Sequence, residues 1–382
     1  MLNAPTPDDY REAIPIAHQH GIEVYAWLWT MNLEHDRGKI LREHPEWFSP
    51  LFAELDRRGV PYERIHADRL RYDPAVTDLD YSLIVNRMSP SSWLRESGGA
   101  IFSTLEFLSY LDDIGVPVIN GIRSYRPEIS KARQWRLLEA LNVAHPRARV
   151  INHPDEAVAA AEGLDYPVLV KPNVGGSGAG IISFDSPEDL SVGAANGKLE
   201  FGPDHTALVQ EHLPAEGDAI IRVEFLNGEY LYAIRLSLMP NSFNLCPADY
   251  CDLPGIADGV SGRGVPIEAY TPPRSVIDEA GRLLDATGAR LGGVEYLVDA
   301  RTGEPSFYDI NALSNFVADA PTIIGFDPFV NLVDFIVEEA LADGRLLRVL
   351  EGRERAPLTL SVLYPSRQHV PAKTRLFIDH MV

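Results

Sequence analysis

Four glycines, at 175, 176, 178 and 180, crowd behind a lysine in the stretch "VLVKPNVGGSGAG" (168–180). A helix does not run through such a segment, because each interior glycine costs about 1 kcal/mol relative to alanine. Its flanks, "YPVLVKP" and "GIISFDS", are rich in β-branched and aromatic residues, as strands are. The segment reads as strand, glycine loop, strand. It is not a Walker loop, which needs Gly-Lys-Ser/Thr opening a helix. Nor does "GGSGAG" have the G-x-G-x-x-G spacing of a dinucleotide loop. With a strand following it, the loop has no helix dipole to borrow, so its own amides must point at any anion it holds. Glycine permits that close approach and the positive φ it requires. Lys171, ending the first strand, would set a cation beside the anion. Taken alone, an ordinary hairpin with a surface lysine explains the segment equally well, since glycine is common turn chemistry.

Composition narrows the classes. The chain has 382 residues, a formal net charge of -21 and 45% hydrophobic residues, enough for two or three domains. Such acidity argues against a nucleic-acid partner, which needs clustered cations. No stretch is apolar for long enough to span a bilayer, and the N-terminus lacks the basic and apolar regions of a secretory signal. Two cysteines, Cys246 and Cys251, are too few for a disulfide framework. A cytoplasmic protein with reduced thiols is expected.

From about residue 39 strand and helix patterns alternate: "GKILREH", "SPLFAELDRRG", "VPYERI", "YSLIVNRMSP", "IFSTLEFLSYLDDIG", "VPVING". That alternation predicts a small doubly wound α/β unit. Beyond it, "SYRPEISKARQWRLLEALNV" is helical with Ser130 as a candidate cap, and most later segments are strand-like, with a hairpin signal at Asn227-Gly228. "SVIDEAGRLLDATGA" and "PFVNLVDFIVEEALADG" have helical spacing. In "SFYDINALSN", Asp309 and Asn311 stand two apart on a predicted strand and share a face. With Glu295 from "GGVEYLVDA" they form an oxygen-donor set suited to Mg2+. In isolation, Asp-x-Asn is more often a capped turn.

Four motifs occur in order: "ISKARQ", "VLVKPNVGGSGAG", "LVQEHLP" and "DINA". In this the chain resembles the ATP-grasp superfamily, from about residue 45 to 340, and within it the branch of ribosomal-protein glutamate ligases and glutathione synthetases. The resemblance implies an α/β and α+β architecture: a pre-ATP-grasp α/β domain (39–125), then a two-lobed ATP-grasp domain (126–343, lobes meeting near 207). It implies ATP and Mg2+ as cofactors, with Mn2+ an alternative ion, and a small carboxylate and an amine as substrates. An acyl phosphate would form and be attacked by the amine, giving an amide, ADP and phosphate. It also implies a homo-oligomer.

Residue by residue, Lys131 and Lys171 match the two nucleotide lysines, and Gly175, Gly176, Ser177, Gly178 and Gly180 the phosphate lid. Gln210, Glu211 and Leu213 match the hinge beside the adenine, reached mainly through backbone groups. Arg222 and Arg235, on successive strands, match residues that stabilise the transferred phosphoryl group, and Glu295, Asp309 and Asn311 match the metal set. Departures are present. No acid stands in the usual ribose register, leaving Glu216 and Asp218 as candidates, and Asp-x-Asn replaces the commoner Glu-x-Asn. "VNRMSPSSW", with Asn86, Arg87 and Ser89, and "FNLCPADYC", with Cys246, Asp249 and Tyr250, are either substrate contacts or plain loops.

The two ends differ. Residues 1–37 resemble a helix–strand piece of a barrel glycoside hydrolase, and the last 25 or so resemble a fragment of a LysR-type effector domain. Residues 1–38 and 344–382 are expected to be extensions without activity of their own. An ATP-binding regulatory module that has lost its chemistry is the alternative to a ligase.

Overall fold

The computed structural model describes residues 25–29 (as backbone), 48–60, 62–79, 83–95, 98–176, 178–238 and 266–342. Among these, three sheets organise the chain. The first is parallel, with β1 (Tyr25–Trp29) between β2 (Tyr62–His66) and β3 (Ile84–Asn86), and β4 (Val118–Ile119) at its edge. Helices α1 (Ser49–Arg57) and α2 (Gly98–Asp113) complete the α/β unit. One expectation needs correcting here. The strand Tyr25–Trp29 lies in the segment read as an N-terminal extension, yet it occupies an interior position of this sheet. The sheet therefore crosses the expected boundary at residue 38. The stretch "GKILREH" lies outside the described residues, as do the last 40 residues of the chain and Cys246, Asp249, Tyr250 and Cys251.

The second sheet is antiparallel and carries the glycine loop, in the order β5 (Ala148–Ile151), β8 (Ala207–Glu211), β6 (Val168–Pro172), β7 (Ile182–Phe184). Its strands β6 and β8 are buried along their whole length. The third sheet has the order β11 (Ile267–Tyr270), β10 (Glu229–Ser237), β9 (Ala219–Leu226), β12 (Leu291–Val298), β13 (Pro305–Asn311), every pair antiparallel. The β9–β10 hairpin turns at Asn227 and Gly228, both with positive φ (53° and 79°), the geometry that makes Asn-Gly the preferred pair there. Helix α3 (Arg274–Thr287) covers one face through Ile277, Ala280 and Leu284. On the other, Ile220, Ile234 and Leu236 share a core with Leu51 and Leu55 of α1 and with Leu332 and Ile336 of the helix Pro328–Ala342.

The α/β unit is therefore fused to the third sheet by apolar packing. Arg58, which caps the end of α1, adds an ion pair to Asp334, and Glu54 accepts from both Arg57 and Arg58. Hydrogen bonding from Arg57 above all holds the Glu54 carboxyl down to about 2. A carboxyl depressed in the folded state stabilises it above its unfolded pKa and ceases to do so as pH falls toward the folded one. The parent should thus lose melting temperature between about pH 4.5 and pH 2 relative to Glu54→Gln. Parallel Tm–pH curves would refute this.

Candidate functional site

Five segments of distant sequence, one helix start and four strands, place their polar side chains together at the meeting of the second and third sheets. The first is the N-terminus of the helix Lys131–Ala140. Ser130 caps it, accepting from the Arg133 N–H, as its residue type predicts. Asn173, at the foot of the glycine loop, docks onto the same turn. Its Oδ1 accepts from the Ala132 N–H at 2.9 Å, and its carbonyl accepts from the Lys131 N–H at 3.1 Å. Lys131 and Lys171, forty residues apart, are thereby brought to the same cluster.

Lys131 Nζ lies 2.5 Å from Asp309 Oδ1. Lys171 is 4% exposed, with its Nζ 4.0 Å from the centre of the Trp135 ring. Burial, and next the Lys131 charge, press the Lys171 ammonium well below its usual range. An anion arriving beside it would restore the charged form.

The third sheet supplies the acids. Glu295 on β12 stands opposite both Asp309 on β13 and Arg222 on β9, so the three share a face. Glu295 Oε1 is 3.4 Å from Arg222 Nη1 and 3.3 Å from Asn311 Nδ2, and its Oε2 accepts from the Tyr308 hydroxyl at 3.1 Å. A bulge between β12 and β13 shifts the register beside Glu295 and adds Tyr308 to the group. Burial, then the Asp309 charge, raises the Glu295 pKa, whereas Lys131 overcomes burial at Asp309 and keeps it low. Glu128, which ends the preceding helix and accepts the Ala312 N–H at 2.5 Å, is pushed by burial up to about 7.

Among the described residues no three His, Cys, Asp or Glu side chains converge as a ready-made cation cage. The set that does converge, the Glu295 and Asp309 carboxylates and the Asn311 amide, can offer oxygen donors, and its chemistry fits Mg2+ shared with phosphates.

Most of the residues expected from sequence lie here: Lys131, Lys171, Arg222, Glu295, Asp309 and Asn311. Arg235 does not. A plain two-residue hairpin would place it on the Arg222 face, but a register shift between Tyr230 and Tyr232 sets Arg222 opposite Ile234 and Arg235 opposite Ile221. Neighbouring strand residues face opposite ways, so Arg235 points to the other side of the sheet. The Glu211 side chain is also committed elsewhere, to Arg147 and to the Asp165 N–H at 2.9 Å. Among the described residues, Gln210 keeps a buried Oε1 without a partner and Leu213 makes no backbone hydrogen bond. Glu216 and Asp218 are exposed on the turn before β9. Ser177 lies outside the described residues.

In the glycine loop, Gly178 and Gly180 have φ of 73° and 72°. A β-carbon at 180 would meet Pro172 at 2.8 Å, so the tight return over Pro172 is open only to glycine. A β-carbon at Gly176 would lie 3.4 Å from that of Ser91, so this loop rests against the α/β unit.

Reasoning from sequence missed Glu224. It is 1% exposed and accepts from Arg222 Nε at 2.6 Å. The signal was present, since Glu224 stands two after Arg222 on one strand and shares its face. Gly293 lies opposite it, and a β-carbon there would come within 2.9 Å of the Glu224 carboxylate.

No protein-family model matches the chain. Among curated proteins it is 26% identical over 239 residues to the carbamoyl phosphate synthase large chain of Thermotoga neapolitana, a match covering 60% of this chain. The chain spans about a fifth (20%) of that relative's length. A solved RimK domain ATP-grasp protein from Sphaerobacter thermophilus superposes with TM-score 0.56 at 16% identity, over 82% of this chain and 100% of its own. D-cycloserine synthetase DcsG gives 0.55 at 17%, covering 83% and 99%. D-alanine–D-alanine ligase of Bacillus anthracis, complexed with ATP, gives 0.54 at 14%, covering 84% and 98%. The expected architecture is the observed one: a mixed α/β chain with antiparallel sheets that carries the ATP-grasp fold.

Proposed function

We propose that this chain is an ATP-dependent carboxylate–amine ligase of the branch resembling ribosomal-protein glutamate ligases and glutathione synthetases, working through an acyl phosphate. One observation carries the reading. Two lysines, an arginine, two carboxylates and an asparagine from five separate segments converge where the glycine-loop sheet faces the five-stranded sheet. That set matches what phosphoryl transfer needs, which is positioning and charge neutralisation more than covalent help.

In this reading Lys131 and Lys171 bind phosphate oxygens, and the amides of Gly175, Gly176, Gly178 and Gly180 close over them. Gln210, Glu211 and Leu213 border the adenine, the unbonded backbone of Leu213 being the natural partner for a base edge. Arg222, permanently charged and already set beside Glu295, faces the transferred phosphoryl group. Glu295, Asp309 and Asn311 would hold Mg2+, which when bound offsets phosphate charge. Glu216 and Asp218, exposed on the turn before β9, stay the candidates for the ribose hydroxyls. The substrates are a small carboxylate and an amine. Among the described residues no helix is long and apolar enough to cross a membrane. A cytoplasmic setting and self-association belong to the same proposal.

Hydroxylamine intercepts acyl phosphates, and this supplies the test. The protein is incubated with MgATP, hydroxylamine and pools of amino acids, peptides and other carboxylates. Hydroxamate is expected with at least one pool, and Lys171→Ala should form it only at a raised MgATP concentration, since an anchoring cation is lost. Hydroxamate with no pool, alongside normal MgADP binding, would favour a nucleotide-binding module without ligase chemistry.

A further inference from the structure

Asp309 and Asn311 stand where a sheet is weakest. They lie on β13, which among the described residues is the edge strand of the five-stranded sheet, and the bulge at Tyr308 interrupts the ladder immediately before Asp309. A bulge leaves its extra residue unpaired, and an edge strand has no neighbouring strand on its outer side. Mg2+ demands near-ideal octahedral geometry, so a strand free to shift here would hold it poorly. The outer side of β13 therefore needs a fastening.

Gln134 supplies it. The residue is 1% exposed and stands three after Lys131 on the helix Lys131–Ala140, so the two share a helix face. Its Nε2 donates to the Ile310 carbonyl at 2.8 Å, and its Oε1 accepts from the Ile310 N–H at 3.2 Å. Paired residues of an antiparallel ladder exchange the same two bonds, so this side-chain amide takes the place of a residue in a sixth strand. Nε2 also donates to the Pro127 carbonyl at 3.0 Å, which ties the amide to the preceding helix. Ile310 is the residue between Asp309 and Asn311, and its side chain is buried with Leu138 of the same helix. Side chains alternate along a strand, so fixing the Ile310 backbone fixes the direction of both its neighbours. Other bonds hold the ends of the segment: the Phe307 N–H donates to the Ala144 carbonyl at 2.8 Å, and the Ala312 N–H to Glu128. Gln134 grips the middle.

We propose that Gln134 is a positioning residue for the cation site, its side-chain amide setting the Asp309–Asn311 segment against the Lys131 helix in the geometry that Mg2+ requires. The proposal rests on the ligase reading above, in which Asp309 and Asn311 are Mg2+ ligands. Lys131 and Gln134 hold β13 in different ways. The Lys131 ammonium pairs with the Asp309 carboxylate, and in that reading it also turns to a phosphate, which slackens the ion pair. The neutral amide bonds of Gln134 compete with no phosphate, so they keep helix and strand in register when the nucleotide enters.

The test is calorimetric titration of the full chain with ADP, once in EDTA and once in saturating Mg2+. The gain in affinity between the two is the cation's share. The parent is expected to show a gain. Gln134→Met nearly keeps the side-chain volume without the hydrogen bonds. It should cut the gain about tenfold, or abolish a smaller one, with affinity in EDTA within about twofold of the parent, as when a metal ligand loses the partner that orients it. Leu111→Ala opens a cavity in the core of the α/β unit, which shares no residue with β13, and should destabilise the fold while keeping the gain. Gln134→Glu keeps an acceptor for the Ile310 N–H but no amide donor; it serves if the methionine variant fails to fold, and should lose part of the gain. An unchanged gain in the Gln134 variant, equal weakening with and without Mg2+, or the same loss in Leu111→Ala would overturn the positioning role. A parent without any gain would instead overturn the metal assignment in the ligase reading, and the role of Gln134 with it.

Discussion

Asp309→Ala is expected to lower turnover by about 10²–10³-fold or more, the usual scale for losing one preorganised charge at a phosphoryl or acyl centre, while MgADP still binds within about tenfold of the parent. Asp309 is the residue on which the two halves of the site meet. It lies opposite Glu295 in the strand register and 2.5 Å from Lys131 on the helix cap. In the proposed site, removing it deletes a cation ligand, and it frees the Lys131 ammonium from its partner. The lysine can still reach phosphates, so nucleotide affinity survives better than chemistry. Asp309→Asn keeps one oxygen donor without its charge and should fall between the two. Initial rates of hydroxamate formation at saturating MgATP, paired with calorimetric MgADP affinities, separate the effects. Full activity in Asp309→Ala would remove Asp309 from the metal set.

The largest effect on stability is expected at Asn120, which no reading of the sequence singled out. It follows β4 with φ of 57°, a left-handed conformation that asparagine tolerates better than most residues. Its Nδ2 donates to the carbonyls of Leu291 (2.6 Å) and Ala312, and its Oδ1 accepts from the Arg290 (2.9 Å) and Leu291 (3.2 Å) N–H groups. Asn86 then donates to its carbonyl at 2.9 Å. One amide thus joins the parallel sheet to the start of β12 and the end of β13. Alanine there would strand two carbonyls and two N–H groups in a 2%-exposed position. At about 1 kcal/mol per lost bond, and more where a buried group stays unpaired, the cost is about 3–5 kcal/mol. Urea unfolding reads it as a lowered midpoint at unchanged m-value. A loss under 1 kcal/mol would mean that water replaces the amide at all four groups.

Much of the site was legible because its signals are local. The glycine run, the Ser130 cap, the Asn-Gly turn and the shared face of Asp309 and Asn311 each depend on a few adjacent residues. What the sequence could not disclose depends on pairing across distance. The side chosen by Arg235 is set by an irregularity at Tyr230–Tyr232, which no periodicity reveals, and one residue of slip sends it to the opposite face. The place of Tyr25–Trp29 is decided by strands that follow it by more than thirty residues. Glu224 went unnoticed for a different reason: a lone glutamate on a strand looks like a solvent-facing residue until the glycine opposite it makes room inside.

Val174 is buried in the core of the α/β unit together with Ile84, Ile101 and Tyr125, while the second strand of the loop resumes at Ile182. The glycine loop is therefore a short tether fastened at both ends. With residues 175–181 fully stretched at about 3.3–3.6 Å apiece, out and back, its tip can swing no more than about 12 Å. That radius spans a pair of phosphate groups but not a whole nucleotide, so on the proposed ligase reading the contacts to base and sugar must be fixed elsewhere in the chain.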